Sequence, residues 1–599
     1  MKRALALSEE GIASLTLLAM TLLPLLEILL RRLFGFGIPG SAPIVQHLTL
    51  WVGFLGAALA ARDGKLLALA TGTFIPEGRV RRIAGIFSAT VATAVTTLLA
   101  WGAIELVSLE RSSGVMVGAG IPAWVAQLVL PIGFVLIAAR LIWRADSAWP
   151  GRVVALAGVA IGVVLLRTPE LLDGRSPWPG LAVLFVAAAL GAPIFVLIGG
   201  AAALLFMSTG FPTAAILIET YQLAVSPTLP AIPLFTFAGF LLAEGGASQR
   251  LLRVFRAFFG WIPGGTAVVC ALVCSFFTVF TGGSGVTILA LGGLLLPALL
   301  KDGYRDRFSI GLLTASGSLG LLLPPALPLI LYGIVARIPI EDIFIGGILP
   351  GLLLTTMVAA WGVREGLVTG AGRHPFESRE ARTALWDAKW ELAMPLVVLG
   401  AMFSGLATPV EAAALTAFYA LVVQTVIHRD VSPTRDLPRV LVECITLVGG
   451  VLIILGVAVG LTNYLVTEQV PAALIEWTES RVSSPLAFLL ALNIFLLIVG
   501  CLMDIFSATV VVVPLIVPLG AAFGIHPVHL GIIFIANLEL GYLTPPVGLN
   551  LFLASYRFKR PLLEVSRAAL PMLVILGIGV LIITYVPWLT TGLLELMGR

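Results

Sequence analysis

The sequence predicts an all-α polytopic membrane protein. Three observations carry this: the composition, the recurrence of membrane-length apolar runs, and two matched stretches in which such runs are broken by glycine and proline. Of 599 residues, 59% are hydrophobic and 11% are charged, against about 25% charged in soluble domains. Apolar stretches of roughly 20 residues, enough to cross about 30 Å of hydrocarbon as helices, recur along almost the whole chain and predict multiple spans. The lipid bilayer is therefore the solvent of this chain. A net charge of +4 with the basic residues in short connectors argues against a nucleic-acid partner.

The elements follow in order. Lys2 and Arg3 precede an apolar run from Ile12 to Leu30; Glu9, Glu10 and the lack of a small-x-small cleavage site make this a permanent span rather than a signal peptide. Further spans are expected at residues 44–61, 84–108 and 123–143. The connector after the second carries Arg62, Lys65, Arg79, Arg81 and Arg82, and the one after the fourth Arg140, Arg144 and Arg152. The positive-inside rule makes both cytoplasmic, with a cytoplasmic N-terminus. Residues 1–150 thus form a four-helix module. Residues 151–179 form a linking helix and loop, with a short span from Val153 to Leu166 and a polar, Pro-containing boundary from Arg167 to Pro179. The third part is residues 180–599. Cys270, Cys274, Cys444 and Cys501 all lie in apolar segments, which gives a disulfide framework or metal site little support.

Beyond residue 180 the apolar runs are interrupted by Gly, Pro, Ser and Thr, the texture of helices broken inside a membrane. Thr281-Gly-Gly-Ser-Gly-Val-Thr287 is followed by Gly320-Leu-Leu-Leu-Pro-Pro325, and Asp504-Ile-Phe-Ser-Ala-Thr509 by Gly541-Tyr-Leu-Thr-Pro-Pro546. Ser284 to Gly320 is 36 positions and Asp504 to Gly541 is 37. Paired interruptions in corresponding halves point to a transporter's binding site. Pro-Pro removes backbone donors and clashes with the preceding turn, so upstream carbonyls lose their helical partners and can replace the hydration shell of a sodium ion. Repeat symmetry places one sodium site at Thr281, Ser284, Gly320, Leu323 and Pro325. It places the other at Ser507, Gly541, Thr544 and Pro546, with Asp504 beside it. An intramembrane carboxylate such as Asp504 is a functional candidate by default, and equally an N-cap of the helix it precedes.

These residues resemble the tripartite ATP-independent periplasmic (TRAP) transporters, with their small Q and large M membrane subunits fused. The resemblance rests chiefly on Asn537-Leu-Glu-Leu-Gly-Tyr-Leu-Thr-Pro-Pro-Val-Gly-Leu-Asn-Leu-Phe552. Supporting matches are Ser404-Gly-Leu-Ala-Thr-Pro-Val-Glu-Ala-Ala-Ala414, Ala231-Ile-Pro-Leu-Phe235 and Gly317-Ser-Leu-Gly320. It covers residues 180–599 as M. A Q-like part is carried by Arg31 to Gly35, Trp51 to Gly64 and Ile121-Pro-Ala-Trp124.

The resemblance implies a Q module, a linking helix and an M module of two inverted repeats, each with a re-entrant hairpin and a broken helix, about sixteen crossings in all, working as an elevator of the ion-transporter superfamily. It implies sodium-coupled uptake, across the bacterial inner membrane, of a small carboxylate such as a dicarboxylate, a sialic acid or another sugar acid. A periplasmic solute-binding protein would deliver the substrate to a monomeric QM unit, with no cofactor beyond the coupling ions. Substrate contacts are implied at Gly282, Ser284, Ser316, Asp504 and Asn550. Arg250, Arg253 and Arg256 fall at helical spacing among Leu251, Leu252, Phe255 and Phe258, as in an interfacial helix whose arginines reach the headgroups; such arm helices brace the moving core in M subunits.

Rival classes have less support. Gly282-Gly-Ser-Gly285 matches the Gly-x-Ser-Gly of intramembrane serine proteases, but none of His47, His374, His428, His526 and His529 sits mid-span after Ser284 to serve as base. His526 and His529 flank a proline in a turn, read as a solvated loop in preference to a metal site. No Gly-x-x-x-x-Gly-Lys-Ser/Thr loop occurs, against an ATP-driven pump. A stand-alone ion-coupled organic anion transporter or antiporter of the same superfamily is the alternative. Glu411 and Glu539 also fall within the M-type motifs; each reads either as a carboxylate hydrogen-bonded to a neighbouring scaffold helix or as a coupling residue, and both are left out of the site.

Overall fold

The computed structural model describes residues 2–69, 71–72, 75–118, 120–482, 484–545 and 548–599, with side chains from residue 8 onward. Among the described residues the regular structure is helical apart from one small antiparallel pair, Met116–Gly118 with Ile121–Pro122, in a connecting loop, and an isolated antiparallel bridge between Ala68 and Pro193. Among the described residues, twelve helices are long and apolar enough to cross a membrane. This is fewer than the sixteen crossings expected from the sequence. The difference lies in short apolar helices, including Gly265–Thr281, Leu327–Ala336 and Pro527–Gly541. At 1.5 Å per residue these cover only part of a bilayer.

Two compact units divide the chain. The first comprises residues 1–234 and 441–474. Its spans include Ser41–Asp63, Arg79–Ser113, Val129–Arg144 and Trp149–Arg167. Apolar surface gives helices in lipid no reason to associate, so small residues that let backbones approach hold them together. A Cβ on Gly56 would lie 2.2 Å from the Ile445 carbonyl, and one on Gly158 2.3 Å from that of Thr90. Trp178–Ala189 and Ile194–Ser208 form a short hairpin. Its turn is tied to the loop after the second span through Ile194 N–H to Leu67 O at 2.9 Å and Thr71 Oγ1 to Ala189 O at 3.0 Å.

The second unit, residues 235–440 and 475–599, contains one architecture twice. Gly265–Thr281 and Ser284–Lys301 fold back on each other, because Thr266 Oγ1 at one end donates to Asp302 Oδ2 at the other, 2.5 Å away. Pro485–Leu502 and Ile505–Ala522 do the same, with the Phe488 and Phe523 rings stacked at 4.4 Å. Each hairpin precedes a broken helix: Asp306–Ser316 with Leu327–Ala336, then Pro527–Gly541 with Leu549–Phe558. The repeats interlock. Ser284–Lys301 packs on Leu549–Phe558 of the other repeat, and Ile505–Ala522 packs on Leu327–Ala336.

The amphipathic helix Ala247–Phe259 forms and is bent 74° from Ala231–Glu244. Its arginines have partners within the same unit. Arg250 pairs with Glu391 at 2.6 Å and Asp430 at 2.7 Å, and Arg253 with Glu380 and Asp387, each at 2.6 Å. Arg256 meets His374 at 2.6 Å. Carboxylates supplied by other segments of the same unit thus meet Arg250 and Arg253; the Glu391 pair is buried, where charge needs a partner, and the Arg253 pairs are exposed.

Candidate functional site

The hairpin tips and helix breaks are the irregular backbone of the second unit. At the first tip Gly282 adopts φ 64°, the left-handed conformation that ends the first arm. A cluster of buried hydroxyls ties tip to break: Thr278 Oγ1 meets Thr287 Oγ1 at 2.7 Å and donates to Gly317 O at 2.9 Å, and Thr281 Oγ1 lies 3.4 Å from Thr287 Oγ1. A Cβ on Gly320 would fall 2.2 Å from Ser275 O and 2.7 Å from Val279 N. The bare glycine is what lets the break lie against the hairpin.

The backbone between Ser316 and Leu327 is not stripped of partners as expected. Leu321, Leu323 and Ala326 donate to Ser318, Gly320 and Leu323 carbonyls at 2.9–3.1 Å in successive tight turns. Buried amides must be satisfied, and each carbonyl keeps a second lone pair for a ligand. The Leu323 side chain is directed at Gly351, so only its backbone could serve an ion.

At the second tip Asp504 caps Ile505–Ala522: Oδ1 accepts Phe506 N–H and Ser507 N–H, both at 3.0 Å, and Oδ2 accepts Ser507 Oγ at 2.5 Å. Gly541 presses on the end of the first arm, its absent Cβ 2.6 Å from Gly500 Cα. Tyr542 Oη accepts Ile505 N–H at 2.6 Å, and Cys501 Sγ lies 3.2 Å from Thr544 O. Asp504, Ser507, Gly541 and Thr544 therefore converge. Pro546 lies outside the described residues, while Thr281, Ser284, Gly320 and Leu323 all lie at the first junction, with Pro325 in its break.

The residues expected to touch substrate split into two groups. Asn550 Nδ2 donates to Thr314 O at 3.2 Å and Ser318 Oγ at 3.4 Å, which joins the second repeat to the first break beside Ser316. Ser284 lies there too, its carbonyl 3.4 Å from where a Cβ on Gly317 would sit. No hydrogen bond among the described residues links Asp504 to Gly282, Ser284, Ser316 or Asn550. Ser284 Oγ, Ser316 Oγ and Asn550 Oδ1 are buried without a hydrogen-bond partner among the described residues.

Several side chains escaped sequence reasoning. Tyr542 and Ser318 stand inside quoted motifs, but nothing in their spacing showed that they bridge elements. Glu539 is 1% exposed and neither carboxylate oxygen has a hydrogen-bond partner among the described residues, which goes against its reading as a scaffold contact. Glu411 does belong to the scaffold: it forms a reciprocal capping box with Thr408. His529 is buried against Thr590 Oγ1 at 2.9 Å and is no part of a solvated loop.

Paired hairpins and broken helices buried in a bundle of membrane-length helices define a polytopic secondary transporter. Comparison with known proteins carries this to a family. Residues 181–589 match the family model described as tripartite ATP-independent periplasmic transporter, DctM component, and residues 20–151 the one described as the DctQ component. The chain belongs to the TRAP transporter permeases and carries both membrane components fused. It is 30% identical to the isethionate TRAP transporter permease protein DctMQ of Oleidesulfovibrio alaskensis, over 91% of this chain and 87% of that one. It is 34% identical to the C4-dicarboxylate large permease protein DctM of Pseudomonas aeruginosa, over 67% of this chain and 94% of that one. With the sialic acid large permease protein SiaM of Vibrio cholerae the identity is 33%, over 62% and 86%. TRAP permeases carry out secondary solute uptake with a periplasmic solute-binding protein, and this chain is a multi-pass inner membrane protein.

Proposed function

We propose that this chain takes up a small carboxylate in symport with sodium, by an elevator movement of its hairpins and broken helices, from a periplasmic solute-binding protein docked on a monomeric permease with a cytoplasmic N-terminus. The observation that supports it most is the double junction of hairpin tip and helix break. In each, buried hydroxyls and tight-turn carbonyls converge, and these are the hard oxygen donors that a sodium ion takes in place of water. The first junction would use Thr281, Ser284 and the Gly320, Leu323 and Pro325 backbone. The second would use Ser507, Thr544 and the Gly541 and Pro546 backbone, with Asp504 supplying negative charge. Ser284 Oγ, Ser316 Oγ and Asn550 Oδ1, without hydrogen-bond partners among the described residues, suit a substrate's polar groups, with Gly282 leaving room at the tip and Asp504 acting from the second junction. Relatives named for isethionate, C4-dicarboxylates and sialic acid set the range to screen. In proteoliposomes, uptake of a carboxylate that raises the melting temperature of the cognate binding protein should need both that protein and an inward sodium gradient. Equal uptake in choline buffer, or with the binding protein omitted, would remove the proposal.

A further inference from the structure

Glu539 lies on Pro527–Gly541, just before the second break, and is 1% exposed. An ionised carboxylate in such a place demands a counter-charge. The sequence offers none nearby: residues 257–300, 308–336 and 482–556 contain no Lys or Arg. On the longer helices packed against it, Arg364 stacks on Trp361 and Arg567 is exposed. The polar group that faces Glu539 is the Ser318 hydroxyl of the first break, short of hydrogen-bonding geometry. Ser318 Oγ also receives Asn550 Nδ2 at 3.4 Å, and Asn550 Oδ1 is itself buried and unpartnered. Three orphaned oxygens of the second repeat, two on Glu539 and one on Asn550, thus belong to side chains that face one hydroxyl of the first.

We propose that Glu539, Ser318 and Asn550 hold a further sodium ion, separate from the two hairpin-tip sites, with Glu539 as its charged ligand. The donors are a carboxylate, a hydroxyl and an amide oxygen, the hard set that suits an alkali cation and not a soft metal. This rests on the sodium-coupled reading above and extends it. The ion would bridge the two breaks where Asn550 already joins them, so its binding would favour the arrangement in which both repeats are closed on each other.

The test counts ions on the purified full-length chain in detergent, by scintillation-proximity binding of sodium-22. Glu539→Leu should bind one sodium ion fewer than the wild type while melting at least as high in sodium-free buffer, since an apolar side chain replaces an uncompensated carboxylate. Glu539→Gln, nearly isosteric, should raise the sodium concentration for half-filling of that site at least about tenfold. It keeps the test open if the leucine variant does not fold. An unchanged ion count and affinity in both variants overturns the inference alone. A change in proton release on binding with an unchanged sodium count also overturns it, because the carboxylate would then carry a proton. A wild type that binds no sodium overturns the coupling reading as well.

Discussion

Gly320→Ala adds one methyl group at the closest approach of the first break to its hairpin, and its effect follows from the structure. The new Cβ would stand 2.2 Å from Ser275 O, where real Cβ contacts keep 3.0 Å, so the backbones must separate by about 0.8 Å. Val279 N, at 2.7 Å, closes the alternative direction. Both obstacles are backbone, so no rotamer change relieves them, and overpacking of this kind costs about 1–3 kcal/mol. Function should suffer more than stability, since a displacement on this scale opens the hydroxyl and carbonyl cluster proposed to hold the ion. Gly283→Ala, in the hairpin tip itself, is the control: its Cβ meets nothing closer than 3.9 Å and its φ of −141° suits any residue. The assay is sodium-driven uptake into proteoliposomes beside thermal melting of the same preparations. Gly320→Ala should lose at least about 90% of uptake, taking tenfold as the effect of 1.4 kcal/mol, while Gly283→Ala keeps most of it. Equal uptake by the two variants would show that the close approach of break and hairpin is not what the transport cycle needs.

Other outcomes can be measured on the same material. Asp504→Asn keeps an N-cap acceptor and removes the charge, so it should melt close to wild type yet need about tenfold more sodium for each 1.4 kcal/mol of lost interaction; Asp504→Ala should also lose about 0.5–2 kcal/mol of stability. Unchanged sodium dependence in both would reduce Asp504 to a cap. Arg250→Leu removes the arginine from the fully buried Glu391, leaving it only His428 at 3.5 Å and Gln424 at 3.4 Å, and should cost up to about 3–5 kcal/mol, whereas Arg250→Leu with Glu391→Leu should recover much of it; equal melting temperatures for the single and double variants would contradict this. Two hydrogen bonds from Arg82, at 3.0 and 2.6 Å, hold the Asp146 carboxyl below its ordinary value of 3.8. That contribution is present above about pH 3.8 and is lost as pH falls through the lowered value. A melting difference between wild type and Arg82→Ala should therefore persist from neutral pH down to about 4 and close below it, and a gap independent of pH would refute the pairing.

The fold was legible because the bilayer forces a simple code: apolar runs had to be helices, and Gly/Pro interruptions at matched offsets had to be tips and breaks. The Asp504 cap was readable from its place before an apolar helix. What the sequence could not show is which element fills which gap. That Asn550 meets Ser318 across 232 positions is set by interlocked repeats, and no local pattern reports it. The carboxylate partners of Arg250 and Arg253 lie 127–180 positions downstream, where no local pattern reports them. Glu539 looked like a scaffold contact for the opposite reason: a carboxylate inside a membrane helix suggests a partner, and only the structure shows that its neighbours supply none.

The central claim is that each hairpin and break pair carries a sodium ion inward with the substrate. Simultaneous measurement of sodium-22 and labelled substrate entering the same proteoliposomes, with the binding protein outside, tests it most directly. The account predicts at least two sodium ions per substrate molecule in the wild type, and no coupled flux of either in Gly320→Ala. Substrate accumulation in the wild type with no accompanying sodium entry would contradict it.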